Sequence, residues 1–281
     1  MFAELVSTEN QCRILQEHFN LLYISLSGAR LIPDANFAII NGLKRCLSGI
    51  PVPYHNAVIG AAENGNMDAS IDEQLSYFNK AKMPFVWYLN EESDPEFKKK
   101  LIARGFQDAG IFRGVIGLLD RPIPTSKISD SYVLELVKDG ATMDAFNDLV
   151  CSIFGIEGMS MDLYKKFLWS ATKSSNQAQH KMFHWIAKKE GKAVSALSTL
   201  IEGEVVSFWN GASLIEMRRQ GLSTALRCLA LQDAIARGCR IGTSYLMSAG
   251  LAFGICNKLG YQTHWRFNVF LAPDIRETDT I

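Results

Sequence analysis

The sequence has 281 residues, long for one compact domain and comfortable for two. Hydrophobic residues make up 48% and charged residues 21%, with 29 basic against 29 acidic, so the formal net charge is zero. That balance offers no basic excess for a nucleic-acid backbone, and no apolar stretch approaches the roughly 20 residues that span a bilayer. Glu4 stands where a secretory signal would carry basic residues, so the expected compartment is the cytoplasm. The six cysteines (Cys12, Cys46, Cys151, Cys228, Cys239 and Cys256) form no Cys-x-x-Cys pair and none has a histidine at zinc-ligand spacing. They read as reduced thiols, with no metal expected.

In chain order, the first segment with chemical content is Glu63-Asn64-Gly65-Asn66-Met67-Asp68-Ala69-Ser70-Ile71-Asp72-Glu73, ahead of a helix. Ser70 and Glu73 have the spacing of a capping box. A strand is expected around Pro84-Phe85-Val86-Trp87, and Lys98-Lys99-Lys100 fits a solvated helix face. Leu101 to Phe106 then forms helix, glycine stop and aromatic, followed by an extended Ile111–Ile116. The polar, proline-containing Arg121-Pro122-Ile123-Pro124-Thr125-Ser126 cannot continue a central strand or a helix interior. It sets the expected boundary, with domains 1–125 and 126–281.

The second domain opens with a strand at Tyr132–Val137, a helix from about Thr142 and another through Met161–Leu168. Phe183–Ala187, Ala193–Ile201 and Val205–Trp209 read as an antiparallel meander with turns at Lys189–Lys192 and Glu202–Glu204. Leu222, Ala225, Leu226 and Leu229 form one helical stripe, with Arg227 and Asp233 off it. A strand over Arg240–Leu246, a helix through Phe253–Leu259 and a final strand over Trp265–Phe270 complete a mixed α/β (α+β) layout. Leu259-Gly260-Tyr261-Gln262 echoes Arg104-Gly105-Phe106-Gln107 at an offset of 155, which suggests a duplicated fold.

The segment richest in chemistry is Leu214-Ile215-Glu216-Met217-Arg218-Arg219-Gln220-Gly221-Leu222-Ser223-Thr224, between a strand and a helix. The first amides of a helix have no intrahelical partner, and the dipole adds partial positive charge there. Gly221 allows close approach, Ser223 and Thr224 offer hydroxyls, and Arg218 and Arg219 offer charge, the needs of a pyrophosphate. The same residues also suit an ordinary helix start with two surface arginines.

Arg218-Arg219-Gln220-Gly221-Leu222-Ser223 resembles the acyl-CoA loop of the GNAT superfamily of N-acetyltransferases, Arg/Gln-x-x-Gly-x-Gly/Ala, with Ser223 as a departure. The resemblance runs from about Tyr132 to Phe270. It implies two GNAT-like domains, each a mixed, mostly antiparallel sheet flanked by helices, with the first degenerate. It also implies acetyl-CoA as co-substrate and a small-molecule or peptide amine as acceptor. Carried over, Arg218, Arg219, Gln220, Gly221, Leu222, Ser223 and Thr224 hold the pyrophosphate. The backbone of Ala212, Ser213 and Leu214, on a strand that splays from its neighbour, faces the pantetheine and acetyl groups.

A base must take a proton from the amine, and Glu204, Glu202 and His184 lie on or beside the central strands. The family's acid, a tyrosine in the last helix, is replaced by Cys256, which reads either as donor or as core; Tyr245 is a possible substitute. In the first half the position 155 before Gly221 lies among Glu63, Asp68, Asp72 and Glu73, which would repel a pyrophosphate. The first half therefore reads as a repeat that has lost its cofactor site. A non-catalytic acyl-CoA-binding sensor or interaction module, or a tandem transferase of a larger acyl or aminoacyl group, is the alternative.

Overall fold

The computed structural model describes residues 7–62, 66–93, 95–123, 128–173, 180–247 and 252–274. The expected boundary at 125/126 and Glu63–Gly65 lie outside the described residues. The chain divides into two compact units. One comprises Met1–Phe19 with Gly114–Trp265, the other Asn20–Arg113 with Arg266–Ile281. The first 19 and last 16 residues therefore count with the opposite half of the sequence.

In the unit that begins at Asn20, strands β1 (Asn36–Ile40), β2 (Leu43–Leu47), β3 (Ala57–Ile59) and β4 (Val86–Asn90) lie side by side in that order. The β1/β2 and β2/β3 pairs are antiparallel, and β3/β4 is parallel. Helix α2 (Met67–Ala81) makes the crossover that a parallel pair requires. Helix α3 (Pro95–Ala103) follows, and Phe267–Leu271 pairs antiparallel with β4. The core packs Phe78, Phe85, Trp87, Phe97 and Phe106 against Ile71 and Leu101.

The other unit holds β6 (Tyr132–Leu136), β7 (His180–Lys189), β8 (Lys192–Glu202), β9 (Val205–Ser213) and β10 (Ile241–Met247). The first four form the expected antiparallel meander, and β10 joins β9 in parallel. Asp139 caps helix α4 (Gly140–Phe154) through a reciprocal pair with Thr142. Helix α5 (Met159–Thr172) comes next, and α6 (Leu222–Ala236) supplies the crossover from β9 to β10. Leu222, Leu226, Ala230 and Leu231 of α6 pack on Val206, Phe208, Leu197 and Trp185. Helix α7 (Ala252–Lys258) precedes β11 (Gln262–Leu271), and β5 (Gln107–Leu118) precedes the boundary segment.

The 155-residue offset recurs in several elements from α2 onward. Helix α2 spans 67–81 and α6 spans 222–236, a difference of 155 (222 − 67) at both ends. Strands β4 and β10 begin at 86 and 241, and β5 and β11 at 107 and 262. Gly105 and Gly260 both adopt left-handed backbone, φ +86 and +78, where a side chain is disfavoured. Beyond Gly260, Tyr261 is buried against Gly117 and Gly242; a Cβ on Gly242 would stand 1.8 Å from the tyrosine hydroxyl.

Two sequence expectations are corrected. Helix α2 begins at Met67 and is capped by Asn66, whose side chain accepts from Ala69 N–H, so Ser70 and Glu73 lie inside the helix and form no box. The Lys98–Lys100 run lies on α3 as the expected solvent-facing group, with Lys99 and Lys100 ion-paired to Glu96 and Asp68 and Lys98 donating to the Glu91 carbonyl. Arg227 is buried while Leu229 is only half-buried, because α6 is covered on more than one side.

Candidate functional site

Strands β9 and β10 are joined from Val205↔Ile241 to Phe208↔Ser244 and no further, although both continue. The two strands therefore fork after Phe208 and Ser244. A bulge in β9 lies at the same level: Ser198 pairs with Trp209 but Ala196 pairs with Ala212, so Asn210 and Gly211 oppose Leu197 alone. Asn210 takes left-handed backbone, φ +53, to make this bend. Its amide donates to Ser198 Oγ at 2.9 Å, and that oxygen lies 2.7 Å from His184 Nδ1.

Past the bulge, one edge of β9 is taken by β8. Leu214 N–H donates to the Val194 carbonyl, and its own carbonyl accepts from Met217 N–H. In an alternating antiparallel ladder, the backbone of Ser213 then faces the fork. Of Ala212, Ser213 and Leu214, it is Ser213 whose main chain meets that edge; Leu214 is spent on internal bonds.

A single 3-10 turn, Ile215–Met217, leads into the loop. Arg219 and Gly221 both take left-handed backbone, φ +63 and +81, and such turns bring successive amides to one concave side. Arg219 is not glycine, so its conformation carries a cost of about 1–2 kcal/mol. Helix α6 starts without a side-chain cap, and among the described residues no side chain accepts from the amides of Leu222, Ser223 or Thr224. Gln220 is turned away, its amide oxygen bonded by Tyr132 Oη and its amide nitrogen donating to the Glu216 carbonyl. Arg218 and Arg219 are exposed and take no ion pair among the described residues. Uncapped amides, a half-positive helix end and two available guanidinium groups fit a pyrophosphate.

The candidate acid–base residues fare unequally. Glu204 sits in the β8/β9 turn, at the opposite end of β9 from the loop. Its carboxylate pairs with Arg240 at 3.3 Å, and its carbonyl accepts from Arg240 and Ile241 N–H. Nine residues of strand, on the order of 30 Å, separate Glu204 from Leu214. Glu202 stands at that same far end. Neither carboxylate reaches the fork. His184 is fully buried against Phe146, and burial lowers its pKa to about 4. It is a neutral packing residue, not an exposed base.

Tyr245 stacks on Trp209 at 4.8 Å and donates its hydroxyl to the Leu15 carbonyl at 2.6 Å; burial raises its pKa far above the usual phenol range. Cys256 lies on α7 at 0% exposure, packed with Val115, Leu246 and Tyr261. Burial raises its pKa, opposed in part by the charge of Arg227 and the hydroxyl of Ser244. The thiol thus stands beside the last rung before the fork and stays protonated at neutral pH. Sequence reasoning missed Arg227 here; its position next to a buried cysteine on a crowded helix gave no separable signal.

No family model matches the sequence, and no curated protein does. Solved structures do. A GCN5-related N-acetyltransferase from Kribbella flavida superposes with a TM-score of 0.62 at 14% identity, covering 89% of this chain and 95% of that one. A functionally unknown conserved protein from Staphylococcus epidermidis gives 0.63 at 14% identity, with coverages of 85% and 94%. A tandem GNAT protein from the clavulanic acid biosynthesis pathway gives 0.55 at 12%, with coverages of 84% and 79%. At such identity the likeness speaks for architecture, and the architecture of this chain is that of the tandem GCN5-related N-acetyltransferase fold.

Proposed function

We propose that the chain is an N-acetyltransferase that binds acetyl-CoA and acetylates a primary amine of a small molecule or peptide. The uncapped start of α6 beside the β9/β10 fork carries this reading. Amides from Gly221 to Thr224 hold the pyrophosphate, and Arg218 and Arg219 neutralise it. The backbone of Ser213 hydrogen-bonds to the pantetheine arm as an added strand would. Bound acetyl-CoA supplies an activated thioester. The chain contributes orientation along β9 and exclusion of water beneath α6 and α7.

The first half, 1–125 in this reading, is a repeat of the same fold that has lost its cofactor site, and 126–281 retains it. The register of 155 supports the duplication, and the cap state of α2 supports the loss. Asn66 fills the helix start that Gly221 leaves open, and Asp68 and Asp72 are held by Lys100 and Arg104.

A second reading, a non-catalytic acyl-CoA sensor, is favoured by one observation: the candidate carboxylates Glu202 and Glu204 lie at the wrong end of β9. An amine panel screened with acetyl-CoA, read by thiol release, separates the two. Turnover of any amine that disappears in Gly221→Glu supports the transferase. Saturable acetyl-CoA binding without turnover across the panel would favour the sensor.

A further inference from the structure

Arg227 lies five residues into α6 and is 4% exposed; no other Asp, Glu, Lys or Arg is as buried among the described residues. Its guanidinium rests 4.2 Å from the ring centroid of Phe208, and its Nε and Nη1 have no hydrogen-bond partner among the described residues. Among the described residues no carboxylate pairs with it. Among the described residues, the titratable groups that feel it are the thiols of Cys228 and Cys256 and the phenol of Tyr261, whose hydroxyl also lacks a partner there. A desolvated cation without a counter-ion is costly, and contact with an aromatic face offsets only a fraction of that. A charge kept at such cost points to an anion that arrives with a ligand.

The place of Arg227 says which anion. Phe208 pairs with Ser244 in the last rung before the fork, and the hydroxyl of Ser244 stands beside the Cys256 thiol. By strand alternation Ser244 and Leu246 share a face, the one on which Cys256 and Tyr261 pack. Arg227, Ser244, Cys256 and Tyr261 therefore meet at the apex of the fork on its α6/α7 side. If the acetyl-CoA reading holds, an arm anchored at Gly221 and laid along β9 ends at this apex, with its sulfur foremost.

We propose that Arg227 holds the departing sulfur of CoA as a thiolate, aided by the Ser244 hydroxyl. The amine nitrogen bonds to the acetyl carbon, the carbon–sulfur bond breaks, and its electron pair rests on a sulfur paired with Arg227. The amine proton passes to water. No proton donor on α7 is then needed, which accounts for a buried thiol at position 256.

The test is an ultraviolet titration of CoA bound to the full chain, reading thiolate absorbance against pH for wild type, Arg227→Lys and Arg227→Met. Each is blanked with desulfo-CoA so that protein thiols cancel, and calorimetry verifies that CoA is bound. In the wild type the bound thiol should lose its proton about one pH unit or more below free CoA, roughly a tenfold preference for the thiolate. Arg227→Lys should keep most of that shift and Arg227→Met should abolish it. Bound CoA titrating like free CoA in the wild type, or a shift that survives Arg227→Met, overturns the inference while leaving the cofactor reading intact. Failure of the wild type to bind CoA removes both. Should Arg227→Met not fold, the wild-type and lysine titrations still decide.

Discussion

Asn66 and Gly221 stand immediately ahead of two 15-residue helices whose positions differ by 155, and they leave those helices in opposite states. Asn66 Oδ1 accepts the Ala69 N–H at 3.0 Å, whereas Gly221 brings no side chain to its helix. One end is chemically closed and the other open to an anion. Substitution at the two positions tests this. Gly221→Asn tolerates the left-handed backbone and delivers an amide to the open end, so the fold should persist while acetyl-CoA affinity drops about tenfold or more. Asn66→Ala should lower stability by about 1 kcal/mol without touching affinity. Chemical denaturation and calorimetry read both.

Removing the buried charge should separate stability from function. Arg227→Met replaces a guanidinium that has no counter-ion with an apolar side chain of similar length. The expected result is a gain of about 1–4 kcal/mol in the absence of CoA, read by thermal unfolding. A marked loss would show that the cation–π contact with Phe208 holds the core together.

His184 predicts a pH dependence. Its pKa is lowered to about 4 in the folded chain, against an ordinary value near 6.5. The unfolded chain thus binds a proton first, so stability falls as pH drops from about 6.5 toward 4. The loss approaches about 3 kcal/mol for this group. His55, with the same direction and a value also about 4, adds a second contribution. His184→Gln should shrink the decline seen in unfolding midpoints across that window, and an unchanged slope would refute the assignment.

Gly242 is required by its neighbour. A methyl group there would sit 1.8 Å from Tyr261 Oη and 2.6 Å from Cζ, and β10 is too central to yield freely. Gly242→Ala should cost about 1–3 kcal/mol and displace Tyr261, seen as new fluorescence quenching and a lower unfolding midpoint.

Much of this was legible in the sequence. The β6–β11 succession, the α6 loop and the Gly105/Gly260 echo follow from glycine placement and alternation, which are local. The exchange of terminal segments between units was not, because an amphipathic helix such as α1 (Thr8–Gly28) declares a buried face without declaring what covers it. Glu204 shows the same limit. A carboxylate one residue before β9 looks close to the site in sequence, yet the strand carries the site to its other end. Arg227 was hidden for the opposite reason, since a helix covered on several sides buries residues off its main stripe.

The central claim is that main-chain amides and two guanidinium groups just ahead of α6 hold a nucleotide pyrophosphate. Isothermal calorimetry of acetyl-CoA against wild type, Gly221→Glu and the Arg218→Ala/Arg219→Ala double variant is its most direct trial. One saturable site in the wild type, weakened about tenfold or more by the arginine changes and absent in Gly221→Glu, is the predicted outcome. No heat of binding to the folded wild type, or equal affinity in all three proteins, would contradict it.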